Sequence, residues 1–402
     1  MGRLVKLPKR LWRRLTRGTA EQQIEARPER PSYLFFCVNG VGLGHLNRAL
    51  AIARRIPRLQ PDADIWFLTS SRMLEAVSRE GFVPYYVPPF DAYRERITAK
   101  HWNRMLEAQI RLIFEVHLPT ALVYDGIYPY PGFVRALEKC RFDRTAMILR
   151  LRHTHSRLEA LGERFRLFDQ IIHPGEAGES DVAIPSPTAQ LQPRRVAPIL
   201  YFDRSEILSR AEARRRLLLP MDRRVVYLQL GSGNINDAAS WTGQALELLA
   251  GYPEVEVVLA QSPIANREVT LPPRVHLLRQ YPNALFFNAF DLAISAAGYN
   301  TVHELLFFGI PSILIPMEKV TDDQEGRARS AERAGAAVVV TRPEELADAL
   351  ERVLTGAALA EIRSCAERLI PINGADEAAR AIAEGKMPRL PKAPGCIKTQ
   401  TT

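Results

Sequence analysis

The chain is poor in cysteine. Four stand far apart at Cys37, Cys140, Cys365 and Cys396, and none forms a CxxC pair. That scarcity argues against a disulfide framework or a thiolate zinc site and favours a reducing compartment. No apolar run reaches the length of a membrane span, and no signal-peptide pattern is visible. Acid is missing from the first 18 residues, where Arg3, Lys6, Lys9, Arg10, Arg13, Arg14 and Arg17 supply +7, while Lys386, Arg389, Lys392 and Lys398 add +4 near the other end. Of the formal charge of +9, about −2 is therefore left for everything between. A body that close to neutral lacks an extended nucleic-acid face, and no nucleic-acid partner is expected. What remains is ordinary: 47% hydrophobic and 25% charged residues in 402, the profile of a globular chain with room for two cores.

Within the basic N-terminus, Pro8 can open a helix that gathers Leu7, Leu11, Trp12 and Leu15 on one face, with cations around the rest. This is the composition of a short anchor on an anionic membrane surface, residues 1–18, and the competing reading is a disordered basic arm. From residue 31 onward, short β-branched or aromatic runs alternate with helical stretches, the mark of parallel βαβ units. Strands are expected at 33–38, 64–68, 83–87, 121–124 and 146–149, and again at 225–230, 255–260, 275–278, 292–295, 311–315 and 336–340. Residues 152–198, rich in proline towards their end, resist assignment and should hold the crossover. The expected organisation is a tail (1–30), a Rossmann-like domain (31–200), a second one (201–370), a closing helix (371–386) and a second tail (387–402). The fold class is α/β, with two doubly wound sheets facing across a cleft that should hold the ligand.

Four constellations can carry chemistry. In the first, Gly40, Gly42 and Gly44 lead into His45 and Arg48 after the first strand. Read from Gly40, the third glycine of a dinucleotide fingerprint would fall on His45, and the second strand ends without an acid, so a nicotinamide site is disfavoured. His45 then reads as a general base at a strand's carboxyl end, or as a helix-start residue that only bonds its loop. In the second, Asp125 ends another strand, where it could fix the tautomer of His45 or serve as a turn aspartate before Gly126. In the third, Gly231, Ser232, Gly233 and Asn234 form a strand-to-helix turn, either an anion nest or a plain turn. The fourth is the longest. The 291–295 run leads into Gly298, a helix is expected to open at Asn300 or Thr301, and Glu304 follows one turn in. Free backbone N–H groups there suit a diphosphate, and Glu304 suits a diol, unless it closes a capping box with Thr301. His303 reads as a helix-surface residue, and the Asp322-Asp323-Gln324 run either hydrogen-bonds sugar hydroxyls of a donor or supplies Asp322 as a simple N-cap. Asp62 and Asp64 match a DxD string at the wrong end of a strand, so they read as surface and no metal site is expected.

The segment from Ala297 to Glu304, with Gly309 to Pro311, Pro316, Asp323, Gln324 and Ala334 to Ala336, resembles the donor-binding domain of GT-B glycosyltransferases of family 28, the peptidoglycan N-acetylglucosaminyltransferase group. The resemblance covers roughly residues 220–385 and, more thinly, 31–150, where Gly42-Leu43-Gly44-His45 matches the family's Gly-Gly-His loop. It implies that Gly298, Tyr299, Asn300 and Thr301 cradle the diphosphate, that Glu304 binds the ribose and Gln324 the sugar, and that Tyr281 lies near the uracil. It also implies an inverting, metal-independent transfer of a hexose or N-acetylhexosamine from a UDP-sugar, needing no cofactor, to an acceptor hydroxyl that is lipid-linked or on a small molecule. A cytoplasmic protein on the inner membrane face is the matching location. The segment 124–130 matches nothing in the family that can be assigned. Two alternatives stay open: a nucleotide-sugar hydrolase, whose loop also has the Gly-His-x-x-Arg pattern of Gly44 to Arg48, and a non-catalytic scaffold.

Overall fold

A strand covered on both faces must be apolar along its whole length, and the chain supplies such runs twice over. The computed structural model describes residues 30–38, 42–93, 95–150, 162–179, 192–231, 238–261, 263, 271–318, 322–355 and 358–385. The basic N-terminal segment, Cys396, Gly40, Ser232, Gly233 and Asn234 lie outside the described residues.

The first sheet is built from β1 (Ser32–Cys37), β2 (Asp64–Thr69), β3 (Val83–Tyr86), β4 (Ala121–Asp125), β5 (Arg144–Ile148), β6 (Gln170–Pro174) and β7 (Arg194–Val196), in the order β3-β2-β1-β4-β5-β6-β7. The second holds β8 (Arg224–Gln229), β9 (Val255–Ala260), β10 (Val275–Leu278), β11 (Leu292–Ala296), β12 (Ser312–Ile315) and β13 (Val338–Val339), in the order β10-β9-β8-β11-β12-β13. The pairings are parallel in both, with Cys37 beside Asp125 in the first and Ser295 beside Gln229 in the second. All six residues of β1 are buried, as both-face coverage requires.

The helix Ala99–His117 shows how local sequence sets an element. Thr98 caps its start by accepting the His101 N–H, and Leu118 ends it in the left-handed region at φ 48°. Trp102, Leu106, Ile110 and Ile113 fall on one face and are buried, each contributing about 1.5–3 kcal/mol relative to exposure. The helical stretch after the glycine loop is split into Gly44–Ala53 and Ile56–Leu59. Pro57 sits in the first turn of the second piece, where its missing N–H costs nothing.

Two departures from the sequence reading stand out. The unassigned region holds β6, β7 and the short helix Gly162–Phe165, so the first sheet has two more strands than expected. β7 has three residues, too few to show a period. A helix runs over Pro131–Lys139, where Pro131 opens the first turn rather than breaking structure. The last helix, Ala375–Glu384, leaves the second sheet and packs against Gly44–Ala53, Ile56–Leu59 and β7. Arg144 and Gln170, from the first sheet, donate to its carbonyls at Ile382 and Ala381 over 3.2 Å each.

Candidate active site

In each sheet the strand that comes first in the chain lies in the interior, with β1 between β2 and β4 and β8 between β9 and β11. Loops leaving two such neighbours turn to opposite faces and open a crevice at their carboxyl ends. The loops that carried the sequence motifs leave these strands: the glycine loop after β1, Asp125 at the end of β4, Gly231 after β8, and Gly298 after β11.

On the first lip, His45 is the second residue of the helix Gly44–Ala53, and its Nδ1 lies 2.7 Å from Asp125 Oδ1. Arg48, one turn further on, grips the same carboxylate twice, Nη2 to Oδ1 at 2.5 Å and Nε to Oδ2 at 2.8 Å. Asp125 is 1% exposed and Arg48 4%, whereas the His45 side chain keeps 26%. Burial alone would push the Asp125 carboxyl up; the Arg48 guanidinium and the His45 ring outweigh it and hold it below the ordinary carboxylate range. An ionised Asp125 accepts the Nδ1–H, an assignment made from the partner, which leaves the Nε2 lone pair of His45 as the free base.

On the second lip, the helix Tyr299–Phe307 starts two residues earlier than Thr301, with Gly298 as N-cap and, among the described residues, no side chain bonding its first N–H groups. The capping box between Thr301 and Glu304 therefore does not form, because Thr301 already sits in the first turn; it is half-buried there. Among the described residues, a Cβ built on Gly42, Gly231 or Gly298 meets no atom within 4 Å, so three glycines border open space on both lips. Gly231 also takes a positive φ of 95°, which an L-residue rarely adopts. Glu304 is half-buried, and its carboxyl is pushed up to about 7 by burial, against the pull of a hydrogen bond from Asn47.

Several bonds cross the seam. Asn47 Nδ2 donates to Glu304 Oε1 at 3.2 Å, and Tyr281 Oη donates to Asn47 Oδ1 at 2.8 Å. Asn300 Nδ2 donates to the Gly44 carbonyl at 3.2 Å. The Tyr299 side chain is buried and donates to the Gly175 carbonyl at 2.8 Å, so only the backbone of this residue faces the cradle. Arg48, Arg150 and Arg327 surround its ring at 5.9, 4.7 and 5.5 Å from the centroid. Glu176 and Asp322 answer that charge: Arg327 meets them at 2.9 and 3.0 Å, and Arg150 at 3.5 and 3.3 Å.

Two sequence readings are corrected here. His303 is fully buried rather than on the helix surface: its Nε2 accepts the Ala177 N–H at 2.8 Å, its Nδ1 donates to the Tyr299 carbonyl at 2.6 Å, and burial pushes its pKa down to about 4. The N-cap of the helix Gln324–Arg333 is Asp323, which accepts the Gly326 N–H at 2.9 Å, while Asp322 is taken by Arg327 and Arg150. Gln324 is buried, accepts the Met317 N–H through Oε1 at 3.1 Å, and leaves Nε2 without a partner among the described residues. An orphaned buried amide costs about 1–3 kcal/mol, which a ligand oxygen would relieve. Asp62 and Asp64 are exposed, and among the described residues no three His, Cys, Asp or Glu side chains gather as a metal site. Sequence reasoning left Asn47, Arg150, Glu176 and Arg327 without a role. Arg48 was legible as the residue one helical turn from His45.

Residues 278–370 match the glycosyltransferase family 28 C-terminal domain, which contains the Tyr299 cradle, Glu304 and Gln324. The UDP-N-acetylglucosamine--N-acetylmuramyl-(pentapeptide) pyrophosphoryl-undecaprenol N-acetylglucosamine transferase of Acetivibrio thermocellus is 27% identical over 337 residues, 78% of this chain and 86% of its own length. Among solved structures, the kitacinnamycin glycosyltransferase superposes with a TM-score of 0.62 at 17% identity, covering 89% of this chain and 99% of that one. MurG of Acinetobacter baumannii superposes at 0.56 and 14%, covering 88% and 100%. The fold is GT-B, and the family 28 resemblance read from the sequence holds.

Proposed function

We propose, for a chain whose second half carries the family 28 glycosyltransferase C-terminal domain, that it transfers a hexose or N-acetylhexosamine from a UDP-sugar to an acceptor hydroxyl. The observation that carries this reading is the meeting of the two lips. An uncapped helix start and a carboxylate suited to a diphosphate and a ribose stand one hydrogen bond from the helix that holds a His–Asp base. The Acetivibrio relative and the kitacinnamycin enzyme are named as transferases, and the Acetivibrio name pairs UDP-N-acetylglucosamine with a pyrophosphoryl-undecaprenol acceptor.

In this reading, the backbone N–H groups of Tyr299, Asn300 and Thr301 face the diphosphate at the positive end of the helix. Glu304 accepts from the two ribose hydroxyls, and Gln324 Nε2 donates to a sugar oxygen. His45 Nε2 removes the acceptor proton as the acceptor oxygen attacks the anomeric carbon. The bond to the diphosphate oxygen breaks, the configuration inverts, and the helix start stabilises the charge that develops on the leaving group. No residue of this scheme calls for a metal. Tyr281, expected near the uracil, spends its hydroxyl on Asn47 and leaves its ring for the base.

The acceptor is proposed to be lipid-linked, with residues 1–18 lying on an anionic membrane surface at the cytoplasmic face. No helix among the described residues is long and apolar enough to cross a membrane. Release of UDP from UDP-N-acetylglucosamine, followed with and without a membrane lipid extract, tests the transfer. Dependence on the extract supports it; release that is undiminished without any acceptor would mean hydrolysis. Equal pelleting of the full chain and a 2–18 deletion on anionic liposomes would remove the anchor.

A further inference from the structure

The buried arginines of this fold do different kinds of work. Arg214 and Arg55 each pair a carboxylate, Asp291 and Asp203, but also bind several carbonyls, those of Ala289, Pro220, Met221 and Arg223 for Arg214 and of Ala51 and Tyr201 for Arg55, so both tie down backbone. Among the described residues, Arg48 binds no carbonyl. Its Nε and Nη2 both go to the Asp125 carboxylate, and the same Nη2 passes 3.2 Å from His45 Nδ1. Its guanidinium is also held beside the Tyr299 ring, on the helix that opens the donor cradle.

We propose that Arg48 is a positioning residue for the base: it commits Asp125 as an anion, so that His45 carries its proton on Nδ1 and turns Nε2 to the cleft. A buried carboxylate with only an imidazole for company can take up a proton or turn away, and either event frees the ring to adopt the other tautomer. The bidentate clamp fixes both oxygens in one plane. Arg48 is shielded from solvent, and its own attraction to Asp125 keeps it charged against the cost of burial. The other titratable groups facing this cluster, among the described residues, are Cys37 on β1, Tyr124 on β4, Tyr299, Glu176 and Arg150.

The inference rests on His45 acting as the base, and its test does not need turnover. Nitrogen-detected NMR of the His45 ring, assigned by His45→Ala, reads tautomer and titration directly. The expected result is a neutral ring protonated on Nδ1 in the natural chain. Arg48→Met should raise the protonation midpoint of the His45–Asp125 pair by about one pH unit, because the Asp125 charge is then uncompensated, and Arg48→Lys by about half that. A midpoint that stays within about 0.2 units in both variants, or a natural ring protonated on Nε2, overturns the proposal. If Arg48→Met fails to fold, Arg48→Lys and the natural tautomer still decide it. In a transfer assay, the acidic limb of kcat/KM should move with the same midpoint; an activity loss without that movement means that Arg48 only supports the fold.

Discussion

Asn47 and Glu304 are 257 residues apart in the chain, yet Asn47 Nδ2 donates to Glu304 Oε1 at 3.2 Å, closing the seam between the helix Gly44–Ala53, which carries His45, and the helix Tyr299–Phe307. That bond leaves Glu304 in a place where burial pushes its carboxyl up to about 7. A ribose diol needs the anion as acceptor, so UDP should bind more tightly as pH rises from 6 to 8. Titration calorimetry across that range should show an affinity gain of up to about tenfold in the natural chain and a flat response in Glu304→Gln. The sign for stability is the opposite. A carboxyl raised above its unfolded value stabilises the fold while protonated, and that contribution is lost as pH rises from about 4.5 through about 7. The ligand-free Glu304→Gln chain should therefore melt higher than the natural one at pH 8, by the equivalent of about 1–3 kcal/mol, and level with it at pH 4.5.

Replacing His45 by Ala should remove the base and little else, because the ring is partly exposed and, among the described residues, donates at its Nδ1 edge to Asp125 alone. Turnover should fall by about 10²–10⁴ while UDP still raises the melting point as before. Asp125→Asn should behave differently, because it leaves the buried Arg48 without its anion. A stability loss of about 3–5 kcal/mol is expected alongside the activity loss. An Asp125→Asn chain that melts within 1 °C of the natural one in differential scanning calorimetry would contradict this.

How much of this could be seen beforehand depended on what each feature needs. The long buried strands and the glycine turns after them were legible, because an apolar run and a turn residue are local signals. β9 and β10 were read with both ends right. The His45–Asp125 pair was legible only as a possibility: its reality depends on β1 lying beside β4, which puts Cys37 next to Asp125 in register. β7 was not legible, since a three-residue edge strand shows no period. His303 was misjudged because its polarity suggested a surface, whereas the fold gives it two backbone partners in the core. The Arg150–Asp322 and Arg327–Glu176 contacts join segments at least 151 residues apart, and no local pattern announces them.

Gly298 separates binding from folding. Its φ of −65° suits any residue, and an added Cβ meets no atom of the described residues within 4 Å. Gly298→Val should therefore cost the fold no more than about 1 kcal/mol, the ordinary loss for an apolar residue at an N-cap. Its side chain would occupy the space in front of the uncapped N–H groups. Binding of UDP should weaken by at least about tenfold, the loss of one good charge-assisted contact. Unchanged affinity in calorimetry would place the diphosphate elsewhere and remove the cradle from the mechanism.

Gly374 tests how the last helix is fastened. The residue immediately precedes Ala375–Glu384, and its N–H donates to the Pro198 carbonyl at 2.9 Å. A Cβ there would meet the Ala197 carbonyl oxygen at 1.9 Å and its carbon at 2.6 Å, both backbone atoms that cannot swing aside. Gly374→Ala must then push the helix start away from the 197–198 strand end. The helix would lose its seat on Gly44–Ala53, the element that carries His45 and Arg48. The cost should be at least about 2 kcal/mol, within the range for overpacking a tight contact, and it should appear as a lower melting point. Amide exchange should speed up along both helices, 375–384 and 44–53, if they form one cooperative unit. Faster exchange confined to 375–384 would mean that the base-bearing helix is held by its own sheet alone, and that the closing helix is not part of what positions the site.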